Sequence, residues 1–168
     1  MGLRPVFRIA PYNMKWRRCQ GNLKWNYEEN KHFSITWTHH FESFREQDVA
    51  YFAWTYPYSF KESLEKTQKL LKKFKNHDEV YIHREVLCYS RERRPMELIT
   101  FTNRDKITEE REDLVEGLFP EANNDKSKRP FKFDKPTIFI SSRVHPGETP
   151  ASFVLEGIWK FLTDLKSP

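Results

Sequence analysis

A short apolar run, Thr137-Ile138-Phe139-Ile140, leads directly into Ser141-Ser142-Arg143-Val144-His145-Pro146-Gly147-Glu148-Thr149-Pro150, after which a helical pattern begins. A strand that is apolar on both faces has to be covered on both, as in a sheet with helices packed on either side. Pro146-Gly147 imposes a turn. Thr149 predicts a helix cap, and Pro150 fits the first helical position, where its missing N–H costs nothing. Val154, Ile158, Phe161, Leu162 and Leu165 then recur at helical spacing and predict the buried stripe of that helix. Strand, turn and helix in this order predict an α/β arrangement for the C-terminal part.

The N-terminal part reads as β. Phe33, Ile35, Trp37, His39 and Phe41 alternate with Ser34, Thr36, Thr38 and His40, the period of a half-buried antiparallel strand. Val49 to Tyr56 predicts a second strand, apolar on both faces and ended by Pro57. Asn22 to Asn30 is a weaker, polar candidate. From Ser59 or Phe60 to about Lys75, Phe60, Leu64, Leu71 and Phe74 share one helical face, and Asn76-His77-Asp78 closes the helix. Strands follow at Val80–Tyr89 and Met96–Thr102. The charged turn Arg91-Glu92-Arg93-Arg94 joins them as a hairpin; it reads as a solvated turn, although its arginines could meet an acidic substrate. Thr108 predicts the cap of a short helix with Glu109 and Glu110 in its first turn and Leu114, Val115 and Leu118 on its buried side. Glu121 to Pro136 is polar and basic and reads as a surface loop. The pattern changes from β to mixed α/β near Pro57, which predicts two domains, residues 1–57 and 58–168.

Composition narrows the class of protein. Of the 168 residues 29 are basic and 24 acidic, so the net charge of +5 sits on a mixed surface, with no basic stripe carrying a nucleic-acid motif. Charged residues at 32% describe a soluble chain, and aromatics at 15% are too many for a disordered one. No apolar run approaches the length of a membrane span, and Met1-Gly2-Leu3-Arg4-Pro5-Val6 resembles neither a signal peptide nor a myristoylation signal. Cys19 and Cys88 are too few for a disulfide scaffold or a zinc knuckle, so reduced thiols and a cytosolic setting are expected.

His145 and Glu148 are the candidate metal ligands. A His-x-x-acid spacing is weak by itself, since chance supplies roughly one such match in a chain of this composition. His39-His40-Phe41-Glu42 is such a match. On an alternating strand, residues three apart face opposite sides, so His39 and Glu42 cannot share an ion, and His39 reads as a core or edge histidine. His145 and Glu148 instead flank a turn at the mouth of a helix, whose positive end suits a carboxylate. Glu148 is in the place of a ligand rather than a base, because His-Glu-x-x-His helices carry the base next to the first histidine. Thr149 excludes the inverted His-x-x-Glu-His order. Two ligands do not complete a catalytic zinc site, which takes three protein ligands and a water.

Arg143-Val144-His145-Pro146-Gly147-Glu148-Thr149-Pro150 resembles the zinc-binding segment of the cytosolic carboxypeptidases, within the M14 metallocarboxypeptidases. Tyr51-Phe52-Ala53-Trp54-Thr55-Tyr56-Pro57-Tyr58-Ser59 resembles the signature at the end of that family's N-terminal β domain. His83-Arg84-Glu85-Val86-Leu87-Cys88-Tyr89-Ser90, Leu118-Phe119-Pro120 and Arg129-Pro130-Phe131 resemble its type-5 branch. The resemblance implies an N-terminal antiparallel β-sandwich followed by an α/β carboxypeptidase domain with a mixed sheet. It also implies Zn2+ held by His145, Glu148 and a third ligand. The activity implied is removal of C-terminal or branch-point glutamates from tubulin or other polyglutamylated proteins. The expected setting is the cytoplasm and cytoskeleton, with the nucleus as a further location, and the expected state a monomer without nucleic-acid or membrane partners.

The third zinc ligand, the general base and the carboxylate-gripping residues of the family find no counterpart in these residues, and the upstream strands of its β domain have none either. The sequence is therefore expected to be an inactive portion of a longer enzyme, truncated at both ends. The alternative expectation is a non-catalytic tubulin- or microtubule-binding module using the loop charges Lys126, Lys128, Arg129, Lys132 and Lys135.

Overall fold

A computed structural model describes residues 4–27 and 33–164. Leu165 and the far end of the Asn22–Asn30 candidate lie outside the described residues. Among those described, the chain is mixed α/β, with nine strands in four small antiparallel sheets and two α-helices. It divides into two compact units: one runs up to Tyr58 and resumes at Ser141, the other is Ser59–Ile140.

In the first unit, β1 (Val6–Ala10) pairs on one side with β2 (Asn13–Arg18) and on the other with β5 (Val49–Ala53). A second pair joins β3 (Leu23–Asn26) to β4 (Ser34–Trp37). The predicted alternation holds only in the middle: Ile35, Trp37 and His39 are half-buried while Ser34, Thr36, Thr38 and His40 are exposed, but Phe33 and Phe41, expected on the buried face, are exposed too, and the ladder itself ends at Trp37. Trp37 meets Phe52 at 5.9 Å between ring centres, and Phe7 lies 6.3 Å from the same ring. Val6 and Cys19 are buried, and the Cys19 amide donates to the Pro5 carbonyl at 2.8 Å.

The second unit opens with α1 (Phe60–Phe74). Its cap is Ser59, whose hydroxyl accepts from the Glu62 amide at 3.1 Å. Glu62 and Lys66, both half-buried, pair at 2.9 Å one turn apart. His77 closes the helix by accepting, through Nδ1, from the amides of Glu79 and Val80. The chain then forms the predicted hairpin of β6 (Val80–Tyr89) and β7 (Pro95–Asn103). Phe74, fully buried, packs edge-on against Phe101 of β7 at 5.4 Å and ties the helix to the hairpin.

The helix expected after Thr108 does not form. Ile107–Arg111 is a strand, β8, paired with β9 (Phe131–Phe133). Phe131 and Phe133 pack against Tyr81 at 6.0 and 5.2 Å, so the segment gains a ladder and an apolar anchor that one helical turn would not supply. The Thr108 hydroxyl donates across the ladder to the Lys132 carbonyl at 3.1 Å instead of capping. Leu114, Val115 and Leu118 are exposed. The expected loop Glu121–Pro136 contains β9 and short 3-10 turns at Pro120–Ala122 and Lys126–Lys128.

Arg129 is also not a surface charge. It is 5% exposed, its guanidinium lies over the Phe119 ring at 3.2 Å, and it donates to Glu85 at 2.6 Å. Burial pushes the Glu85 carboxyl above the usual carboxylate range, with Arg129 acting against it.

The strand expected at Thr137–Ile140 is likewise not formed: Ile138 is 84% and Phe139 74% exposed, outside every sheet of the described residues. A strand apolar on both faces needs a neighbour for its backbone and a cover for each face, and none of the four sheets extends to it. All pairings among the described residues are antiparallel, so the expected mixed sheet is not formed there.

Two predictions follow from the second unit. Glu85→Ala leaves Arg129 buried without a partner and is expected to cost about 3–5 kcal/mol in urea unfolding, whereas Glu85→Leu with Arg129→Met should recover most of it; a small loss for the single variant would contradict the ion pair. His83 is shifted down by burial and then by Arg111 and Arg129, against a backbone hydrogen bond at Lys128 that raises it. The unfolded chain therefore takes up the proton first, so this stabilisation is present above about pH 6.5 and is lost as pH falls toward the folded value. Between pH 7.5 and 5.5 the wild type should lose stability relative to His83→Gln; a constant difference would contradict the shift.

Candidate metal centre

The approach to the second helix is built by backbone turns. The Glu148 amide donates to the His145 carbonyl at 3.1 Å, closing the tight turn expected at Pro146-Gly147. The Thr149 amide donates to the Gly147 carbonyl at 3.0 Å, and the Ala151 amide to the Glu148 carbonyl at 3.1 Å. Helix α2 (Thr149–Leu162) thus begins one residue earlier than predicted. Glu148 occupies the cap position without a side-chain cap bond, and Thr149 is the first helical residue rather than the cap. The turn hands its hydrogen bonds straight to the helix, so no hydroxyl cap is required. The Thr149 hydroxyl is instead buried without a partner among the described residues, as is that of Ser142.

The buried side of α2 also differs from the predicted stripe. Val154 is 64% and Phe161 72% exposed, and Leu162 is exposed too, whereas Thr149 and Ser152 are buried and Ile158 is half-buried. The helix is held by its N-terminal turn and by Phe153, which meets Tyr58 edge-to-face at 5.1 Å.

Arg143 ties these pieces together. Its φ of 61° puts a non-glycine residue in the left-handed region. Its Nε and Nη2 both donate to the Pro146 carbonyl, at 2.9 and 2.7 Å. Nη1 donates to the Tyr58 carbonyl at 3.3 Å and to the Ser152 hydroxyl at 3.2 Å.

His145 and Glu148 are both exposed on this turn. Neither side chain has a hydrogen-bond or ion-pair partner among the described residues, so an imidazole and a carboxylate are left unspent on one turn at a helix N-terminus. That donor set fits zinc, which takes His nitrogen and Glu oxygen. It would make up two of the three protein ligands that a catalytic zinc takes; among the described residues no three His, Cys, Asp or Glu side chains converge on a metal position.

The second His-x-x-Glu match is spent on packing. His39 lies 4.2 Å from Phe7, 4.6 Å from Phe41 and 5.5 Å from Phe52, ring centre to ring centre. Burial, and then the neighbouring His40, lower its pKa. His39 sits beyond the end of β4, so it is the ring cluster, and not the strand alternation, that engages it. With Glu42, Arg17 and Arg45 it lines a groove of about 620 Å3.

The loop charges are mostly committed within the chain. Lys126 pairs with Asp113 at 2.5 Å, Lys132 reaches Asp113 and Glu110 at 3.3 and 3.5 Å, and Lys135 bonds Asn103. Arg143 is the residue of this site that sequence reasoning missed. Its backbone conformation and its side-chain reach to Tyr58 leave no periodic signal.

Removing the buried orphan hydroxyl while keeping the side chain's shape should stabilise the helix start. Thr149→Val is expected to raise unfolding stability by about 1 kcal/mol; a loss of similar size in urea melts would show that the hydroxyl has a partner in solution.

No family model matches the chain. Curated proteins do. Human cytosolic carboxypeptidase-like protein 5 is 36% identical over 170 residues, covering 96% of this chain and 19% of the relative. Its counterpart from Danio rerio is 32% identical over 177 residues, covering 99% of this chain and 20% of the relative. Human cytosolic carboxypeptidase 6 is 32% identical over 158 residues, covering 92% of this chain and 24% of the relative. The chain spans about a fifth of the length of the curated relatives it matches. Identity of 32–36% over 92–99% of the chain means that the chain belongs to the cytosolic carboxypeptidase family.

Proposed function

We propose that the protein is a zinc metallocarboxypeptidase that removes C-terminal or branch-point glutamates from tubulin or other polyglutamylated proteins in the cytoplasm, and that these 168 residues alone are inactive. The observation that carries the reading is the unspent imidazole and carboxylate of His145 and Glu148 on one hydrogen-bonded turn, in a chain homologous to cytosolic carboxypeptidases. In this reading residues 58–168 are the first portion of the M14 catalytic domain, and residues 1–57 part of an N-terminal β-sandwich.

His145 would hold the ion through an imidazole nitrogen and Glu148 through its carboxylate, while the α2 N-terminus favours the negative charge of Glu148. When bound, zinc supplies a Lewis acid for the scissile carbonyl and an activated water. No third ligand joins them among the described residues; in this reading it, a general base and a group gripping the terminal carboxylate would come from elsewhere in the full-length protein. The alternative reading, a non-catalytic tubulin-binding surface, is weakened by the internal partners of Lys126, Arg129, Lys132 and Lys135.

The test is zinc content and glutamate release by the full-length protein. Wild type should hold one zinc and release glutamate from a polyglutamylated tubulin-tail peptide. His145→Ala should lose both while keeping its far-UV circular dichroism. Unchanged zinc content in His145→Ala would overturn the assignment, and zinc without glutamate release would overturn the substrate.

A further inference from the structure

We propose that Arg143 is the positioning residue of the metal-binding turn, orienting His145 and Glu148 through the carbonyl that lies between them; this rests on the zinc reading above. His145 and Glu148 have no side-chain partner among the described residues, so the turn backbone alone aims them. Among the described residues that backbone is held from outside the turn at one point, the Pro146 carbonyl, which accepts from both Nε and Nη2 of Arg143. The third nitrogen, Nη1, ties the same guanidinium to the Tyr58 carbonyl before α1 and to Ser152 in the first turns of α2. One planar fork therefore links three stretches of the chain, and the turn cannot rotate without breaking that link.

Two observations separate this role from others. Four of the five guanidinium N–H groups are engaged, so Arg143 has no pair of donors left for the two-point grip of a substrate carboxylate. Its left-handed φ is one that glycine would adopt freely, yet the position carries an arginine whose side chain makes the contacts. Lysine offers a point charge on a flexible stem and cannot reproduce the fork.

The experiment compares wild-type full-length protein with Arg143→Gly, Arg143→Ala, Arg143→Lys and His145→Ala. Zinc affinity is read by competition with a chromophoric chelator, and ligand arrangement by the visible bands of the cobalt(II) form. Amide exchange at Glu148 and Thr149 is read without metal. Groups that orient metal ligands typically contribute 10–100-fold in metal affinity, so Arg143→Gly and Arg143→Ala should bind zinc about 10–100-fold more weakly. Their cobalt bands should shift, those two amides should exchange faster, and Arg143→Lys should not rescue. Wild-type affinity in Arg143→Gly would overturn the proposal, because the backbone conformation would then suffice. Should the alanine and glycine variants fail to fold, Arg143→Lys decides alone, and wild-type affinity there overturns it. If His145→Ala keeps wild-type zinc affinity, the zinc reading fails separately. The metal-free exchange then decides positioning: faster exchange confined to residues 144–152 in Arg143→Gly supports it, and unchanged exchange overturns it.

Discussion

The Pro146 carbonyl, held by two N–H groups of Arg143, is the contact on which the site depends. A turn of four residues has one internal hydrogen bond, here from the Glu148 amide to the His145 carbonyl, and that alone does not fix its direction. The guanidinium adds fixed directions from outside, and the helix takes over the remaining backbone groups at Thr149 and Ala151. The His145 and Glu148 side chains can then remain exposed and without a partner among the described residues, the state that a ligand pair would need before an ion arrives.

The two units solve the same backbone problem in small pieces. Each strand finds one or two antiparallel neighbours, and each small sheet is anchored by rings: Phe7, Trp37 and Phe52 in one unit, Tyr81, Phe131 and Phe133 in the other. Where no neighbour is present, apolar side chains stay exposed. Ile138 and Phe139 are the clearest case in the second unit, and Val154 and Phe161 are apolar side chains of the first that the described residues likewise leave exposed.

What the sequence made legible follows from how local the determining forces are. Helix α1 has a hydroxyl cap, i,i+4 charge pairs and a stripe ending at Phe74, all within its own residues. The β6–β7 hairpin carries its own turn between two strands that are neighbours in the sequence and pair with each other. β8 departs from the helix expected there because Glu109 and Glu110 suit a helix start, while the partner that makes it a strand lies 20 to 26 residues later. The stripe of α2 was misread because apolar residues surround much of that helix, so periodicity does not single out a face; contacts at Ser152 and Phe153 do. The His145–Glu148 turn was legible from Pro146-Gly147, and the arginine that holds it was not.

X-ray absorption at the zinc edge of the full-length protein tests the central claim most directly. The account predicts a shell of nitrogen and oxygen donors at about 2.0–2.2 Å without sulfur, with outer-shell imidazole scattering that weakens in His145→Ala. A sulfur shell, or an imidazole signal that His145→Ala leaves unchanged, would contradict it.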